Sequence, residues 1–182
     1  LDDFCVDSVQ NYRICFAKQK KEFGTVTPFS ADHGAWEVTE GKLSLMCCGE
    51  AFAYAGNYYA ADCSVSSGVL ALNGSSQLLL IRAQGAMRFY AAGFEGGDVV
   101  IYKNNFGFET LCRREFSRRE GREYLLTLKA AGEKLTLSVD GEKLLEAEDG
   151  DFAYGMYGCG SRSMGRTLFG DFAVQVENTS GT

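Results

Sequence analysis

Two arginines and two tyrosines near the middle of the chain have the spacing that comes closest to a binding chemistry. Along Ala86–Phe94 the residues alternate, so Met87, Phe89 and Ala91 would share one side of an extended strand and Arg88, Tyr90 and Ala92 the other. The first set is apolar throughout and is expected to claim the core, which turns Arg88 and Tyr90 the opposite way. Arg82 on the preceding strand and Tyr102 on the following one would join them. A guanidinium donates through a fixed fork of N–H groups, and a phenol ring offers a flat apolar face. On a concave sheet the four would suit a ligand with apolar C–H faces and hydroxyls, as a sugar has. The same four also read as a solvated sheet face with cross-strand packing.

A second group, His33, Trp36, Tyr58 and Tyr59, falls in or near expected loops, where sandwich proteins often bind. The alternative for Trp36 is a core position under the first hairpin. His33 is the only histidine and has no Cys or Ser at a usable spacing, so it makes no nucleophile–base pair. Glu146, Glu148, Asp149 and Asp151 form the densest acid group. Glu146 and Glu148 would share a strand face, as a two-carboxylate glycosidase requires, but two acids at a strand end are ordinarily solvated. Asp2, Asp3 and Asp171 near the paired termini are hard oxygen ligands suited to a structural calcium ion, and no cofactor is required.

These residues need a scaffold, and the rest of the sequence says which. The chain has 182 residues, 46% of them apolar and 23% charged, enough for one domain with a sizeable core. Glycine is abundant at 22 and Pro28 is the only proline, which suits short strands joined by tight turns. Expected strands are Trp36–Val38, Leu43–Cys47, Ala51–Ala55, Tyr59–Leu72, Gln77–Ala83, Ala86–Phe94, Val99–Lys103, Phe108–Arg114, Glu123–Ala130, Lys134–Val139, Lys143–Glu148, Phe152–Tyr157 and Leu168–Val176. Asp140-Gly141 reads as a two-residue hairpin turn with φ > 0 at both positions. Val9–Phe23 is ambiguous between helix and strand and leans to strand or irregular. The spacing gives an all-β, two-sheet antiparallel sandwich over residues 1–177, with 178–182 as a frayed tail.

The net charge of −6 argues against nucleic acid as a partner, and no apolar run of about 18 residues offers a membrane helix. The basic stretch Arg113–Arg122 is interrupted by Glu115 and Glu120 and reads as a solvated edge. Leu1-Asp2-Asp3-Phe4 is no signal peptide. Cys5, Cys15, Cys47, Cys48, Cys63, Cys112 and Cys159 are odd in number without paired spacing, so free thiols are expected, mildly favouring a reducing compartment such as the cytoplasm or an anaerobic source.

The order of these pieces resembles the laminin-G-like, concanavalin A-like jelly-roll superfamily. Gly34-Ala35-Trp36-Glu37-Val38 with Gly41-Lys42-Leu43 looks like its first hairpin, and Leu79-Leu80-Ile81-Arg82 with Met87-Arg88-Phe89-Tyr90 like its paired central strands. Gly121-Arg122-Glu123-Tyr124 through Leu137-Ser138-Val139-Asp140-Gly141, then Phe152-Ala153-Tyr154-Gly155 and Gly170-Asp171-Phe172-Ala173-Val174, complete the match. The resemblance is to accessory domains of bacterial glycoside hydrolases and ADP-ribosylglycohydrolase-type proteins. It implies a non-catalytic, lectin-like carbohydrate-binding module with an oligo- or polysaccharide partner. The signature of concanavalin-like hydrolases, Glu-x-Asp-x-x-Glu, is missing. The alternatives are a structural domain packed on an adjacent catalytic domain, or a glycoside hydrolase or lyase; the fold alone does not choose among them.

Overall fold

A computed structural model describes residues 10–19 and 28–177. Its strands are β1 (Gln10–Ile14), β2 (Ser30–Ala31), β3 (Ala35–Thr39), β4 (Lys42–Cys47) and β5 (Ala51–Ala55). Next come β6 (Asp62–Asn73), β7 (Ser76–Gly85), β8 (Arg88–Glu95), β9 (Asp98–Asn105) and β10 (Phe108–Glu115). The chain closes with β11 (Tyr124–Ala131), β12 (Lys134–Val139), β13 (Glu142–Glu148), β14 (Met156–Ser161) and β15 (Gly165–Glu177). A single 3-10 turn, Phe16–Lys18, is the only helical element among the described residues. Two antiparallel sheets result, ordered β13-β12-β11-β6-β15-β4-β3 and β10-β9-β8-β7-β14-β5-β2. The long β15 pairs its first half with β4 and its second half with β1, so Ile14 lies opposite Phe172 and the edge near the chain ends is covered.

Local chemistry accounts for the hairpins. Asp140 and Gly141 both have positive φ, 51° and 84°, as the two-residue turn between β12 and β13 demands. In β6 and β11 alternate side chains are buried, and Val65, Val69, Leu126 and Leu128 meet Leu79, Ile81 and Phe94 from the other sheet in the main core. β7 breaks that pattern, with every residue from Ser76 to Ala83 buried. The reason is a second apolar cluster on the outer face of its sheet, made by Phe52, Tyr54, Leu78, Leu80, Phe89, Ala91, Val100 and Tyr102.

The second cluster overturns the expected facing of β8. Tyr90, Ala92 and Phe94 face the inter-sheet core, whereas Phe89 and Ala91 face the outer cluster. Alternation could not choose, because both faces of this strand are apolar. The outer cluster also shows that its sheet curls. Phe52 on β5 and Phe108 on β10 are separated by four strands, which in a flat sheet would place their backbones roughly 24 Å apart, yet their ring centroids are 6.1 Å apart. Gly160 makes room for this packing, since a Cβ there would lie 2.4 Å from the Phe52 ring. The concave groove is therefore filled by the protein's own aromatics, and the Arg162 guanidinium lies over Phe108 and Tyr102 at 3.8 and 4.8 Å.

Candidate functional site

Arg82, Arg88 and Tyr90 do not line an open sheet face; all three converge on the segment 149–152 that leads from β13 to β14. Arg82 is 3% exposed and sits on a bulge of β7 with φ 51°. Its Nε donates to the Ala61 carbonyl at 2.9 Å, Nη1 to the Phe152 carbonyl at 3.1 Å and Nη2 to Asp62 Oδ1 at 3.1 Å. Arg88 is half-buried with its guanidinium 5.1 Å from the centre of the Phe152 ring. Tyr90 is 0% exposed; its hydroxyl donates to Asp149 Oδ1 and accepts the Phe152 N–H at 3.1 Å. Burial raises the Tyr90 phenol well above its ordinary pKa, and the Asp149 carboxylate adds to that. Tyr102 does lie on the concave side, but buried beneath Arg162.

What these interior anchors hold in place is an exposed group of three tyrosines. Tyr58 and Tyr59, in the loop after β5, meet Tyr154, which precedes β14. Ring centroids are 5.3 Å apart for Tyr58–Tyr59, 5.6 Å for Tyr58–Tyr154 and 6.0 Å for Tyr59–Tyr154. Their exposures are 38%, 75% and 39%. Arg82 ties one loop through Ala61 and the other through Phe152, and the Gly155 N–H donates to the Ala60 carbonyl at 2.9 Å. Gly155, at φ 153°, passes so close to β7 that a Cβ would lie 2.3 Å from the Arg82 carbonyl carbon. Phe152–Gly155 is accordingly irregular rather than the start of the expected strand, and this aims Tyr154 outward. Gln84 Nε2 bonds the Tyr154 carbonyl at 2.9 Å. Tyr58 and Tyr59 were visible as candidates in the sequence; Tyr154 was masked by its apolar neighbours, and its only local signal is a tyrosine followed by glycine.

His33 and Trp36, expected beside Tyr58, lie at the opposite end of β5. The indole Nε1 donates to the His33 carbonyl at 2.6 Å, and the His33 side chain is exposed. Trp36 is half-buried in a shallow cleft with Glu37, Ser44, Met46 and Arg166. Asp171 Oδ1 accepts the Phe16 N–H at 3.1 Å, and Asp2 and Asp3 lie outside the described residues. Among the described residues no group of three His, Cys, Asp or Glu side chains is placed to hold a metal ion. Glu146 is exposed between Lys134 and Lys143, whose hydrogen bonds hold its carboxyl below the usual range, whereas a general acid needs a raised pKa. Of the cysteines, Cys15, Cys47, Cys48, Cys63, Cys112 and Cys159 are free thiols; Cys5 lies outside the described residues. Burial pushes Cys63 up to about 12.

With this geometry in view, comparison with known proteins places the fold. No protein-family model matches the sequence, and no curated protein matches it significantly. Solved structures do match. The chain is similar to carbohydrate-binding module CBM66 from Bacillus subtilis, with 18% identity and a TM-score of 0.73 over 79% of this chain and 92% of that one. A galectin-like protein of unknown function from Bacillus subtilis shares 12% identity at a TM-score of 0.70, over 94% and 100% of the two chains. The exoplasmic/lumenal domain of VIP36, in a form with Ca2+ and mannose bound, shares 11% identity at a TM-score of 0.63, over 85% and 84%. At such identities the likeness establishes the architecture, a jelly-roll β-sandwich of the galectin-like kind.

Proposed function

We propose that this domain is a non-catalytic carbohydrate-binding module, an accessory part of a larger glycan-active protein, and that it binds through Tyr58, Tyr59 and Tyr154. The observation that carries the reading is three exposed rings held together by a buried clamp. Exposed tyrosines cost solvation, and a structure that fixes three of them side by side presents a stacking surface for the C–H faces of a pyranose or furanose ring. Their hydroxyls add hydrogen bonds at the rim. The likeness to folds whose names record a carbohydrate-binding module and a mannose-bound domain supports it. The filled concave groove supports placing the sugar at the loops rather than on the central strands.

A glycan-array screen of the domain, followed by titration calorimetry, tests this. Tyr59→Ala and Tyr154→Ala should each weaken the best ligand about tenfold, the loss of a stacking contact plus a hydrogen bond, with circular dichroism unchanged. Arg162→Ala should leave binding intact. Binding of a neutral glycan that survives both tyrosine variants would move that sugar to the Trp36 cleft. The second reading is a structural domain packed on a catalytic partner. It is favoured by Met87 and Phe106, 50% and 73% exposed on adjacent turns of the same sheet end. Absence of binding to every glycan would put that reading first.

A further inference from the structure

At the other end of the sandwich, where β7 begins and β8 ends, lies a cleft of about 330 Å³ between the ends of β6 and β7 and the loop that joins β10 to β11. One wall is apolar, with Val69, Ala71 and Leu72; the other carries Arg118, Arg119 and Arg122. Arg118 is half-buried, its guanidinium 4.9 Å from the centre of the Phe94 ring. It donates to the side-chain oxygen of Gln77 and to the carbonyls of Gly96 at 3.1 Å and Ser75 at 3.4 Å. These partners are neutral. Among the described residues no carboxylate comes within 4.0 Å of Arg118 or Arg119, although Glu95 lies near enough to act on Arg118 through space. Arg122 is paired with Asp140 at 2.6 Å, and its guanidinium lies 4.5 Å from the centre of the Tyr124 ring.

Partly buried charge is ordinarily neutralised by an opposite charge. Arg118 meets that requirement only through space, from Glu95, and the exposed Arg119 beside it has no carboxylate within 4.0 Å among the described residues, in a cleft whose one lining acid is Glu120. Arg113, Arg114, Arg119 and Arg122 are exposed, as expected of a solvated edge, and Arg118 alone among these arginines is half-buried, against Phe94, a placement that cannot be seen in a linear run. We infer that this cleft binds a carboxylate-bearing sugar, a uronic-acid residue, its carboxylate on Arg119 with the Arg118 charge behind it and its ring against Leu72. Arginine presents paired N–H groups that match a carboxylate, and Leu72, 48% exposed, supplies an apolar contact for the ring. The inference rests on the carbohydrate reading above but concerns a separate site, since the two lie at opposite ends of the ten-residue β7.

Titration calorimetry with trigalacturonate, its methyl ester and neutral galactotriose tests it. Trigalacturonate should bind, weaken as salt is raised, and outbind its ester by about tenfold or more, the contribution of a charge-assisted hydrogen bond. Arg119→Glu and Leu72→Asp, both at exposed positions, should each cut its affinity at least about tenfold, while Tyr154→Ala should not. Equal binding of acid and ester, indifference to Arg119→Glu, or no binding of trigalacturonate would overturn the proposal. If trigalacturonate instead fails only in Tyr154→Ala, the cleft is refuted while the sugar-binding reading stands. If an acidic peptide binds in an Arg119-dependent way and no sugar binds at either end, both readings fall.

Discussion

Replacing Arg82 with methionine removes the side chain that joins the two loops of the tyrosine group, and the cost can be worked from its contacts. The guanidinium makes three hydrogen bonds, to Ala61, Phe152 and Asp62, from a position 3% exposed. Bonds to a charged group contribute about 1.5–3 kcal/mol each, but methionine also removes the cost of burying the charge. What remains is an Asp62 carboxylate, 22% exposed, that has lost its cation and is left with the Gly132 N–H at 2.9 Å. Removing one partner of a buried pair costs about 3–5 kcal/mol. For a domain of this length each kcal/mol lowers Tm by about 2–4 °C, so Arg82→Met should melt roughly 6–20 °C lower.

Two further variants separate the clamp from mere bulk. Arg82→Lys keeps the charge but can reach one of the three acceptors, so it should recover about half of the loss at most. Arg82→Met combined with Asp62→Leu should be less destabilised than the sum of the single changes, because no carboxylate is left unpaired. Differential scanning calorimetry reads all of these, and glycan titration at a temperature where each variant is folded reads the loops. A Tm for Arg82→Met within about 2 °C of the parent, or full glycan affinity in that variant, would refute the clamp.

Tyr90→Phe removes a buried hydroxyl that accepts the Phe152 N–H, so urea denaturation should show a loss of about 2 kcal/mol, and no change would show that the hydroxyl is solvated in solution. Gly155→Ala places a methyl 2.3 Å from the backbone of β7 at a φ that side chains rarely adopt; a loss of about 3 kcal/mol or more is expected by thermal melting, together with weakened sugar binding. Burial alone would raise the Asp149 carboxyl, but Lys103 at 2.8 Å, Tyr90 and the Asp151 N–H outweigh it and hold it below its ordinary value. Its contribution is then fully present above about pH 4 and is lost as pH falls further. Lys103→Met should therefore destabilise more at pH 7 than at pH 3, and an equal effect at both would count against the ion pair.

Most of the fold could be read from the sequence because its signals are local. The Asp140-Gly141 turn, the alternation along β11 and β12, and the glycines between strands each act within a few residues, and together they leave a two-sheet sandwich as the consistent answer. Residues 10–14 settle as strand only because β15 supplies a partner, a contact some 160 positions away in the chain. The facing of β8 failed for a different reason. Period-two reasoning assumes one wet face, and the sheet that contains β8 has none over its central strands, since Phe89 and Ala91 are buried on one side and Tyr90 and Ala92 on the other.

Burial and bonding partners, which the sequence does not show, separate Arg82 and Tyr90 from the exposed tyrosines. In the sequence Arg82 and Tyr90 look like ligand contacts because they are polar groups on strands; in the structure both are buried and bonded by backbone carbonyls, a backbone N–H and carboxylates of their own chain. Sequence shows that a polar group exists and not whether the fold supplies its partners. A buried arginine and a buried tyrosine are stable only where something accepts their hydrogen bonds, and here the acceptors are Ala61, Asp62, Asp149 and Phe152, in loops or at a strand end. Both side chains bond the segment 149–152, which leads to Tyr154. The residues proposed to touch a ligand, Tyr58, Tyr59 and Tyr154, have exposed side chains outside the two buried clusters. That is why Tyr154 carries little pattern in the sequence, whereas Tyr58 and Tyr59 stand out only as paired tyrosines in an expected loop.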